Sequence, residues 1–414
     1  MADDSTSTVS RRTALKALGT SGAVALAGCL GGGGSGSEQT DSGGGGNGSG
    51  GGANSSGGGG GESDSGGGGG SGGEQPNYPH TIWGMYGSWE DAYVQGGKFF
   101  ARDKGFEFEN YNSRGEGQEQ ISQIQSFVQQ GADGIAVGPV SATAPASAIE
   151  NAASQDIPVI SCNSDIETPD LSMSIYIGNE PATQAVGEAI VKQLRSDGSG
   201  NSAEGTVLDL QGDLAQSIGA SREQGFRNAV NGVSGIEVLE ARANFNQGPA
   251  QEGTFAQLQS TGGNIDAIFA ANGAMAAGAA EALDRYGSQP GDVFMGCMDG
   301  SPTVIDLFDE GWLQRGYAQP TQYYLPIALH YLDLLRTEGE GALPSPGDEL
   351  TTDDLSISGQ QHLGTDIWSG QDWAPATVRE KNGHPWFQTS GKLLNSDNYD
   401  QSSNWGVIFS QDAV

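Results

Sequence analysis

The chain has 414 residues and a formal net charge of −33, from 51 acidic and 18 basic side chains. This excess of carboxylates argues against a nucleic acid as partner, because its phosphates would be repelled. The three cysteines and four histidines show no metal-ligand spacing, so we expect neither a metal site nor a cofactor.

Residues 1–28 have the features of an export signal. Arg11 and Arg12 precede a weakly apolar run, as in twin-arginine signals, and the run is too short to cross about 30 Å of hydrocarbon. The sequence Leu-Ala-Gly-Cys at 26–29 resembles the lipobox of exported lipoproteins, which implies that Cys29 carries a lipid. We therefore expect export by the Tat route and anchoring to the outer face of the cytoplasmic membrane. The alternative is a cysteine that follows a signal peptide by chance.

Residues 29–77 follow the signal, and positions 31–73 are almost entirely Gly, Ser and acidic or amide residues. Such a composition cannot bury a core and predicts a disordered linker between lipid anchor and working domain. The acidic balance of the whole chain resembles that of halophilic archaeal proteins, among which twin-arginine export is common. At molar salt the Debye length is about 3 Å, so the repulsion between carboxylates is largely screened.

From Tyr78 to about Leu335, short apolar runs alternate with segments of helical periodicity. Continuous apolar runs of this length predict strands that are buried on both faces. The runs are 81–86, 134–138, 157–162, 206–210, 265–270 and 293–298. Strands that alternate with helices predict an α/β fold with doubly wound parallel sheets.

The length of this region predicts two lobes, each a parallel sheet flanked by helices. We expect the N-terminal lobe to comprise residues 78–178 and 320–348, and the C-terminal lobe to comprise 179–319. Cys162 and Cys297 end apolar runs in different lobes. They are therefore expected to be small core residues rather than a disulfide.

Three hinge crossovers should join the lobes, near Gly178–Asn179, near Gln319–Pro320 and around residues 345–355. Residues 349–414 are rich in Gly, Ser, Asp and Trp and have little periodicity. We expect a strand near Leu355–Ile357 and otherwise an irregular tail. Its tryptophans indicate that the tail packs on the lobes, because free indole rings would be exposed to water.

Ligands of open α/β sheets bind beyond the carboxyl ends of the strands. The residues predicted to lie there are polar, neutral or singly acidic, and they include an aromatic ring. Carboxylates and amides hydrogen-bond hydroxyl groups, and an indole face can cover the apolar side of a sugar ring. This set therefore suits a neutral, polyhydroxylated ligand. Its members are Gly87–Trp89, Pro139–Ser141, Asn163–Asp165, Asn272, Asp299 and Gln319.

Several segments resemble those of one protein family. Phe-Ala-Ala-Asn-Gly-Ala-Met-Ala-Ala-Gly-Ala at 269–279 is similar to the strand–Asn–helix segment of ribose-type periplasmic sugar-binding proteins. Gly-Cys-Met-Asp-Gly-Ser-Pro at 296–302 is similar to their Gly-Phe-Asp-Gly-Thr-Pro segment. Matching segments at 157–163, 222–226 and 317–320 occur in the same order. The resemblance covers about residues 80–340 and implies the two-lobed type I fold of periplasmic binding proteins.

The resemblance also implies roles for single residues. Asn272, Asp299 and Gln319 fall where the family binds sugar hydroxyls. Trp89 falls on an aromatic residue that stacks on the sugar ring, and Phe245 is the candidate for the opposing aromatic. These five residues would contact ligand from both lobes.

Two further matches are looser, and the chain departs from the pattern elsewhere. Asn163 falls on a position that is often Asp, and Arg222 lies near the binding arginine, which aligns more closely with Ala220. Ribose-type proteins carry asparagine at the positions of Gly87 and Gly138 and a second aromatic at the position of Glu90. These departures argue against ribose itself and leave the sugar class intact.

Each candidate also has a purely structural interpretation. Asn272 could cap a helix, Asp299 could serve a turn, and Gln319 could only bridge the hinge. Trp89 could be an ordinary surface or core residue. Arg222 could be a charge on a helix surface.

The resemblance implies an extracytoplasmic, monomeric solute-binding protein. It would trap a pentose or hexose between hinged lobes, leave it unaltered, and present it to the permease of an ABC importer. A nucleoside or another non-sugar ligand, or a signalling receptor, are the alternatives among binding proteins. A secreted glycoside hydrolase is disfavoured, because the sequence has no recognisable nucleophile–base constellation and no Gly-x-Ser-x-Gly motif outside the glycine-rich linker.

Overall fold

The computed structural model describes residues 75–195 and 202–410, which belong to one compact unit, Ser71–Val414. The strands are β1 (His80–Ile82), β2 (Asn110–Asn112), β3 (Ile135–Val137), β4 (Val159–Cys162), β5 (Met173–Ile177), β6 (Ser202–Gln211), β7 (Ser234–Arg242), β8 (Ala267–Ala270), β9 (Phe294–Met298), β10 (Arg315–Ala318), β11 (Glu349–Leu350), β12 (Ala376–Lys381), β13 (His384–Thr389) and β14 (Lys392–Leu394). The helices are α1 (Ser88–Lys104), α2 (Gly117–Gln129), α3 (Ala146–Ala153), α4 (Asn179–Leu194), α5 (Ser217–Val230), α6 (Gln247–Thr261), α7 (Gly273–Tyr286), α8 (Pro302–Asp309), α9 (Tyr324–Glu338) and α10 (Trp405–Ile408).

The described strands form two sheets, one for each lobe. The N-terminal lobe has the order β11-β12-β13-β5-β4-β3-β1-β2, parallel from β13 to β2. The C-terminal lobe has the order β14-β10-β9-β8-β6-β7, parallel except for β14. Helices flank both sheets, so the predicted α/β fold with two doubly wound, largely parallel sheets is confirmed.

Both faces of the N-terminal sheet are buried. Ile160 packs with α1 and α9, whereas its neighbour Val159 packs with α2 and α3. This alternation follows from the two-residue period of a strand, and it explains why the run is apolar throughout. In the C-terminal lobe, Gly225 lets α5 approach α4, because a Cβ there would lie 2.1 Å from the Glu180 carbonyl oxygen.

The six predicted strands are present with shifted bounds. β1 ends at Ile82 rather than at Tyr86, so residues 83–87 form the loop that leads into α1. β6 is longer than predicted and extends over Ser202–Gln211. No helix in the described part of the chain is long and apolar enough to span a bilayer.

The prediction of an irregular tail is wrong for the described part of residues 349–414. Strands β11 to β13 extend the N-terminal sheet, and β14 pairs antiparallel with β10 of the C-terminal sheet. Leu355 and Ile357 are buried in the core of the N-terminal lobe but form no strand. Their apolar side chains reflect packing against helices and tryptophans rather than pairing of the backbone.

The first two predicted crossovers fall where the chain leaves β5 for α4 and β10 for α9. The third does not lie around 345–355, because the chain there enters β11 of the N-terminal sheet. It lies instead at Ser390–Gly391, between β13 and β14. The inserted hairpin β12–β13 carries the chain through the N-terminal lobe first.

Candidate functional site

The candidate residues lie where strands end. Asn163 follows β4, Phe245 follows β7, and Asn272, Asp299 and Gln319 follow β8, β9 and β10. Trp89 and Arg222 lie on α1 and α5, the helices that follow β1 and β6. We call these seven residues the interlobe site. Carboxyl ends of parallel strands meet at one edge of a sheet, where α/β proteins bind ligands.

Asp299 is the centre of a hydrogen-bond network in the C-terminal lobe. Its Oδ1 accepts a bond of 2.6 Å from Gln319 Nε2, and its Oδ2 accepts one of 3.0 Å from the Gly273 amide. Tyr324 donates its hydroxyl proton to Gln319 Oε1 at 3.3 Å. Asp299 and Gln319 are only 6 % and 2 % exposed, so these bonds fix a carboxylate in a nearly dry setting.

Arg222 is buried beside this network, with 3 % of its surface exposed. Its Nε donates to Asn179 Oδ1 at 2.9 Å, and its Nη1 donates to the Ala271 carbonyl at 2.6 Å. The guanidinium lies 5.7 Å from the centre of the Phe245 ring. Burial lowers the pKa of Arg222, while the negative charge of Asp299 acts to raise it. The alternative of a charge on a helix surface is therefore wrong.

Asn272 caps α7, as its structural interpretation predicted. Its Oδ1 accepts a bond of 2.9 Å from the Met275 amide, and its Nδ2 donates to the Phe245 carbonyl at 3.1 Å. The cap satisfies a helix N-terminus and also positions the aromatic residue. Ligand contact by Asn272 stays a prediction.

The side of the N-terminal lobe is aromatic. The Trp89 ring stacks on Tyr93 with centres 5.3 Å apart, and it lies 5.5 Å from Trp83 and 6.4 Å from Tyr324. Its Nε1 is buried and has no hydrogen-bond partner among the described residues. A buried donor of this kind costs free energy unless it is satisfied. Trp89 therefore presents an available N–H group, and its stacking on a sugar stays a prediction.

Hydrogen bonds and ring contacts connect six of the seven residues. The path runs from Trp89 through Tyr324 and Gln319 to Asp299, and Asp299 bonds to Gly273 next to Asn272. Asn272 bonds to Phe245, whose ring lies beneath Arg222.

Asn163 is placed by its neighbour. Ser164 Oγ lies 2.9 Å from Ser217 Oγ on α5, a hydrogen bond that crosses from the N-terminal to the C-terminal lobe. The adjacent Asp165 does not project freely, because His384 and Asn382 of the tail hairpin bond to its carboxylate at 3.0 and 2.8 Å. The tail therefore supports the segment that carries Asn163.

Three site residues have backbones in the left-handed region. The φ angles are 68° for Asn163, 65° for Phe245 and 88° for Asp299. Each such residue costs of order 1–3 kcal/mol, and strain of this kind clusters at functional sites. The short polar side chains of Asn and Asp can reduce this cost by local hydrogen bonds, but the side chain of Phe245 cannot. A functional role for the position of Phe245 therefore explains its backbone conformation best.

Sequence reasoning missed three side chains beside the site. Asn179 orients Arg222, Tyr324 bonds to Gln319, and Glu90 has a pKa that is raised by burial and, to a lesser extent, by the negative charge of Asp299. Only the departure of Glu90 from the family pattern was visible in the sequence. Asn179 acts through a contact 43 residues away, and Tyr324, five residues from Gln319, also lies beside Trp89, far away in the sequence.

The remaining candidates are not part of the site. Cys162 and Cys297 are buried free thiols in different sheets, as predicted. Residues 75–195 and 202–410 contain no cluster of His, Cys, Asp or Glu that could hold a metal ion. Cys29 and the export signal lie outside the described residues.

Comparison with known proteins identifies one protein family and several similar proteins. Residues 81–337 match the family model described as periplasmic binding protein domain. A galactofuranose-binding protein of Escherichia coli, YtfQ, is 26 % identical over 235 residues, which is 55 % of this chain and 72 % of that protein. A xylitol-binding protein of Mycolicibacterium smegmatis is 32 % identical over 169 residues, 41 % of this chain and 46 % of that one. The crystal structure of a galactofuranose-binding protein superposes with a TM-score of 0.64 at 20 % identity, covering 78 % of this chain and 96 % of the other.

Proposed function

Because the chain belongs to the periplasmic binding protein family, we propose that it captures a sugar, a pentose or a hexose, between its two lobes and delivers it unaltered to an ABC importer. One observation carries this proposal: polar and aromatic side chains from both lobes join in one connected set of contacts around Asp299. The names of its relatives, which bind galactofuranose, xylitol and ribose, support a hydroxyl-rich ligand.

The proposed mechanism has no chemical step. Asp299 accepts hydrogen bonds from sugar hydroxyls, while Arg222 donates to them and balances the carboxylate charge. Trp89 covers or hydrogen-bonds the sugar from the N-terminal lobe, with Phe245 on the opposite side. A ligand that contacts both lobes favours the closed form through its higher affinity for that form. Micromolar affinity needs about 8 kcal/mol, which several buried hydrogen bonds and one aromatic contact can supply.

We further propose that the protein works outside the cell as a lipid-anchored monomer. Arg11, Arg12 and the Leu-Ala-Gly-Cys sequence that ends at Cys29 support export by the Tat route and attachment at Cys29. The net charge of −33 supports an adaptation to concentrated salt. Mass spectrometry of the membrane-bound protein tests whether Cys29 carries a lipid. The variant Cys29→Ala should be released into the medium.

The ligand proposal is tested by a thermal-shift screen of pentoses, hexoses, polyols and nucleosides in molar salt. A ligand present at 100 times its Kd stabilises a protein by about 2.7 kcal/mol, which raises the Tm by several degrees. We expect a sugar or polyol to do so without turnover. Asp299→Ala should abolish the shift, whereas Asp284→Ala, on the exposed surface of α7, should retain it.

Three other results would overturn parts of this proposal. Stabilisation by a nucleoside alone would make this a nucleoside-binding protein. Turnover of a glycoside would make it a hydrolase. Unchanged stabilisation in both Asp299→Ala and Trp89→Ala would show that the ligand binds elsewhere.

A further inference from the structure

Strands β12 and β13 form the tail hairpin, residues 376–389, which lies beyond the part of the chain that matches the family model. Lys381 pairs with His384, so Asn382 and Gly383 form a two-residue turn. Their φ angles are 51° and 89°, as in the type I′ turns for which Asn-Gly is a favoured sequence. The turn places the side chains of Asn382 and His384 at the tip of the tail hairpin.

This tip lies against the loop that carries Asn163. Neighbouring parallel strands are usually joined by about a dozen or more residues that include a helix, but β4 and β5 are joined only by residues 163–172, which form no helix. A Cβ at Gly383 would lie 2.9 Å from the Cβ of Pro169, so the tip and the loop are in direct contact. The loop lacks the backbone ladder of a helix, and its shape therefore depends on the groups around it.

The tail hairpin contacts both carboxylate oxygens of Asp165 in this loop. Asn382 Nδ2 donates a hydrogen bond of 2.8 Å to Oδ2, and His384 Nε2 lies 3.0 Å from Oδ1. Asp165 and His384 are only 1 % and 2 % exposed. Hydrogen bonds to a carboxylate are stronger than those between neutral groups, and burial keeps water from competing for them. The tip therefore holds Asp165 in one position.

His384 also reaches a second point of the loop with its other ring nitrogen. Nδ1 lies 3.0 Å from the carbonyl oxygen of Thr168, and Nε2 lies 3.2 Å from Ser174 Oγ on β5. One buried ring thus connects two points of the loop with a strand of the sheet.

Asn163 lies two residues before Asp165 and has a left-handed backbone, with φ of 68°. Such a conformation persists only where the surrounding structure determines it. The Asn163 amide donates to the Ile175 carbonyl at 2.8 Å, and the next side chain, Ser164, contacts Ser217 of the C-terminal lobe at 2.9 Å. The loop is therefore held between the tail hairpin and the other lobe, with Asn163 between the two contacts.

We propose that Asn382 and His384 are positioning residues for ligand binding, which hold Asp165 and thereby fix Asn163 in the conformation that contacts a hydroxyl-rich ligand. This inference rests on the proposed function and adds the tail hairpin to the parts of the chain that determine affinity. A loop that is fixed before ligand arrives loses less conformational entropy on binding. Loss of the contacts to Asp165 should therefore weaken binding, even though both residues act only through the loop.

Asn382→Gly is the mildest test. Glycine keeps the left-handed turn and removes only the hydrogen bond to Asp165 Oδ2. Calorimetric titration with the sugar or polyol that gives the largest thermal shift should show a Kd raised about 2- to 10-fold, the equivalent of one hydrogen bond. Asp156→Gly, at an exposed left-handed position (φ 59°) before the other end of β4, is the control and should keep the Kd of the natural chain.

His384→Gln is the stronger test, because one amide group cannot replace the contacts of both ring nitrogens. Its Tm should fall, and its Kd should rise more than that of Asn382→Gly. His362 offers a matched control in the tail: it is 5 % exposed, and its Nε2 lies 2.9 Å from Asp103 Oδ2 in the last turn of α1. His362→Gln breaks a buried His–Asp contact of the same kind, so its Tm should fall while its Kd stays unchanged.

Asn163→Gly separates a positioning role from a structural one. Glycine keeps the left-handed backbone but removes the side chain through which the tail hairpin is proposed to act, so Kd should rise. In this background Asn382→Gly and His384→Gln should raise Kd no further, because residues that act through one group are not additive. A further rise would show that the tail hairpin does not act through Asn163 and would refute the inference.

The outcomes separate this inference from the proposed function. A lower Tm with unaltered Kd in both variants of the tail hairpin would mean that it has a purely structural role, and would refute the inference while leaving sugar binding intact. An equal rise in Kd in His362→Gln, or an unaltered Kd in Asn163→Gly, would refute it as well. If none of the sugars or polyols binds to the natural chain, the proposed function is wrong and this inference is wrong with it.

Discussion

The two sides of the interlobe site differ in how far their polar atoms are already satisfied. In the C-terminal lobe, Asp299, Arg222 and Asn272 all have protein partners. In the N-terminal lobe, the buried Trp89 Nε1 has none among the described residues. The difference indicates that the C-terminal side is preorganised, whereas the N-terminal side completes its contacts when ligand arrives.

A preorganised side binds with little loss of conformational entropy. Preorganisation instead lowers the stability of the folded protein, because it requires buried charge and strained backbone. An unsatisfied side gains its missing hydrogen-bond partner only when ligand binds. The following variants test whether the C-terminal side is preorganised and the N-terminal side unsatisfied, beginning with the largest expected effect.

Replacing Arg222 should affect the stability of the C-terminal lobe most strongly. In Arg222→Met the apolar volume is largely kept, but Asn179 and the Ala271 carbonyl lose their hydrogen-bond donor, and Asp299 loses a nearby positive charge. Each buried polar group that is left without a partner costs about 1–3 kcal/mol of unfolding free energy. Urea unfolding in molar salt measures it. Arg379→Met, at an exposed position on β12, should cost less than about 1 kcal/mol; equal costs would contradict a buried network.

Asp299→Asn separates the charge from the shape. Asparagine tolerates the left-handed backbone of this position, but it leaves Arg222 without its counter-charge and weakens the hydrogen bonds to sugar hydroxyls. Bonds to a charged group are worth about 1.5–3 kcal/mol, so Kd should rise about 10- to 100-fold by calorimetry. Asp284→Asn should leave Kd unchanged. An unaltered Kd in Asp299→Asn would show that this carboxylate has a purely structural role.

Gly406→Ala tests the support of the C-terminal side by the tail. A Cβ at Gly406 would lie 2.0 Å from the carbonyl oxygen of Gly300, the residue after Asp299. Overpacking of this kind costs about 1–3 kcal/mol, and the Asp299 loop should shift with it, so both Tm and sugar affinity should fall. Gly341→Ala, where a Cβ meets nothing within 4 Å and the backbone is not in the left-handed region, serves as control for the substitution. A fall in Tm with unaltered affinity would separate the tail from the site.

Trp89→Phe probes the unsatisfied side and should have the smallest effect. Phenylalanine keeps an aromatic ring but lacks the N–H group. If ligand accepts that hydrogen bond, affinity falls by about 0.5–1.5 kcal/mol while stability is unchanged or higher. Trp386→Phe removes an N–H that already bonds to the Tyr176 carbonyl, so affinity should not change there. Tighter binding in Trp89→Phe would indicate that the ring of residue 89 only stacks on the ligand and that its N–H group donates no hydrogen bond to it.

The amino-acid sequence was sufficient to predict the strands that are buried on both faces. It was insufficient to predict strands that lie at the edge of a sheet or lack a neighbour along part of their length. β4 and β8 are continuous apolar runs, because helices cover both of their faces. β2 has the sequence Asn-Tyr-Asn at a sheet edge, and β12, of which only Ala376 and Thr377 pair with β11, ends in Arg-Glu-Lys. Such strands lack an apolar pattern, since part of their surface faces water. Their pairing depends on partners that lie far away in the sequence.

The residues of the interlobe site also differ in how far they could be predicted. Positions after strand ends were predictable from the fold, and the resemblance added the expected residue types. The hydrogen-bond partners of Arg222 were not predictable, because Asn179 lies 43 residues away and Ala271 49 residues away. Electrostatic influences across a fold leave no periodic trace in a sequence.

Strands β13 and β14 have a consequence for the behaviour of the molecule in solution. β13 covers the outer edge of β5, and β14 covers the outer edge of β10. An uncovered edge presents free amide and carbonyl groups that recruit strands from other molecules. A chain shortened after α9 would therefore expose one such edge in each lobe and should self-associate. The strands that follow α9 therefore also protect a sheet edge of each lobe from pairing with other molecules.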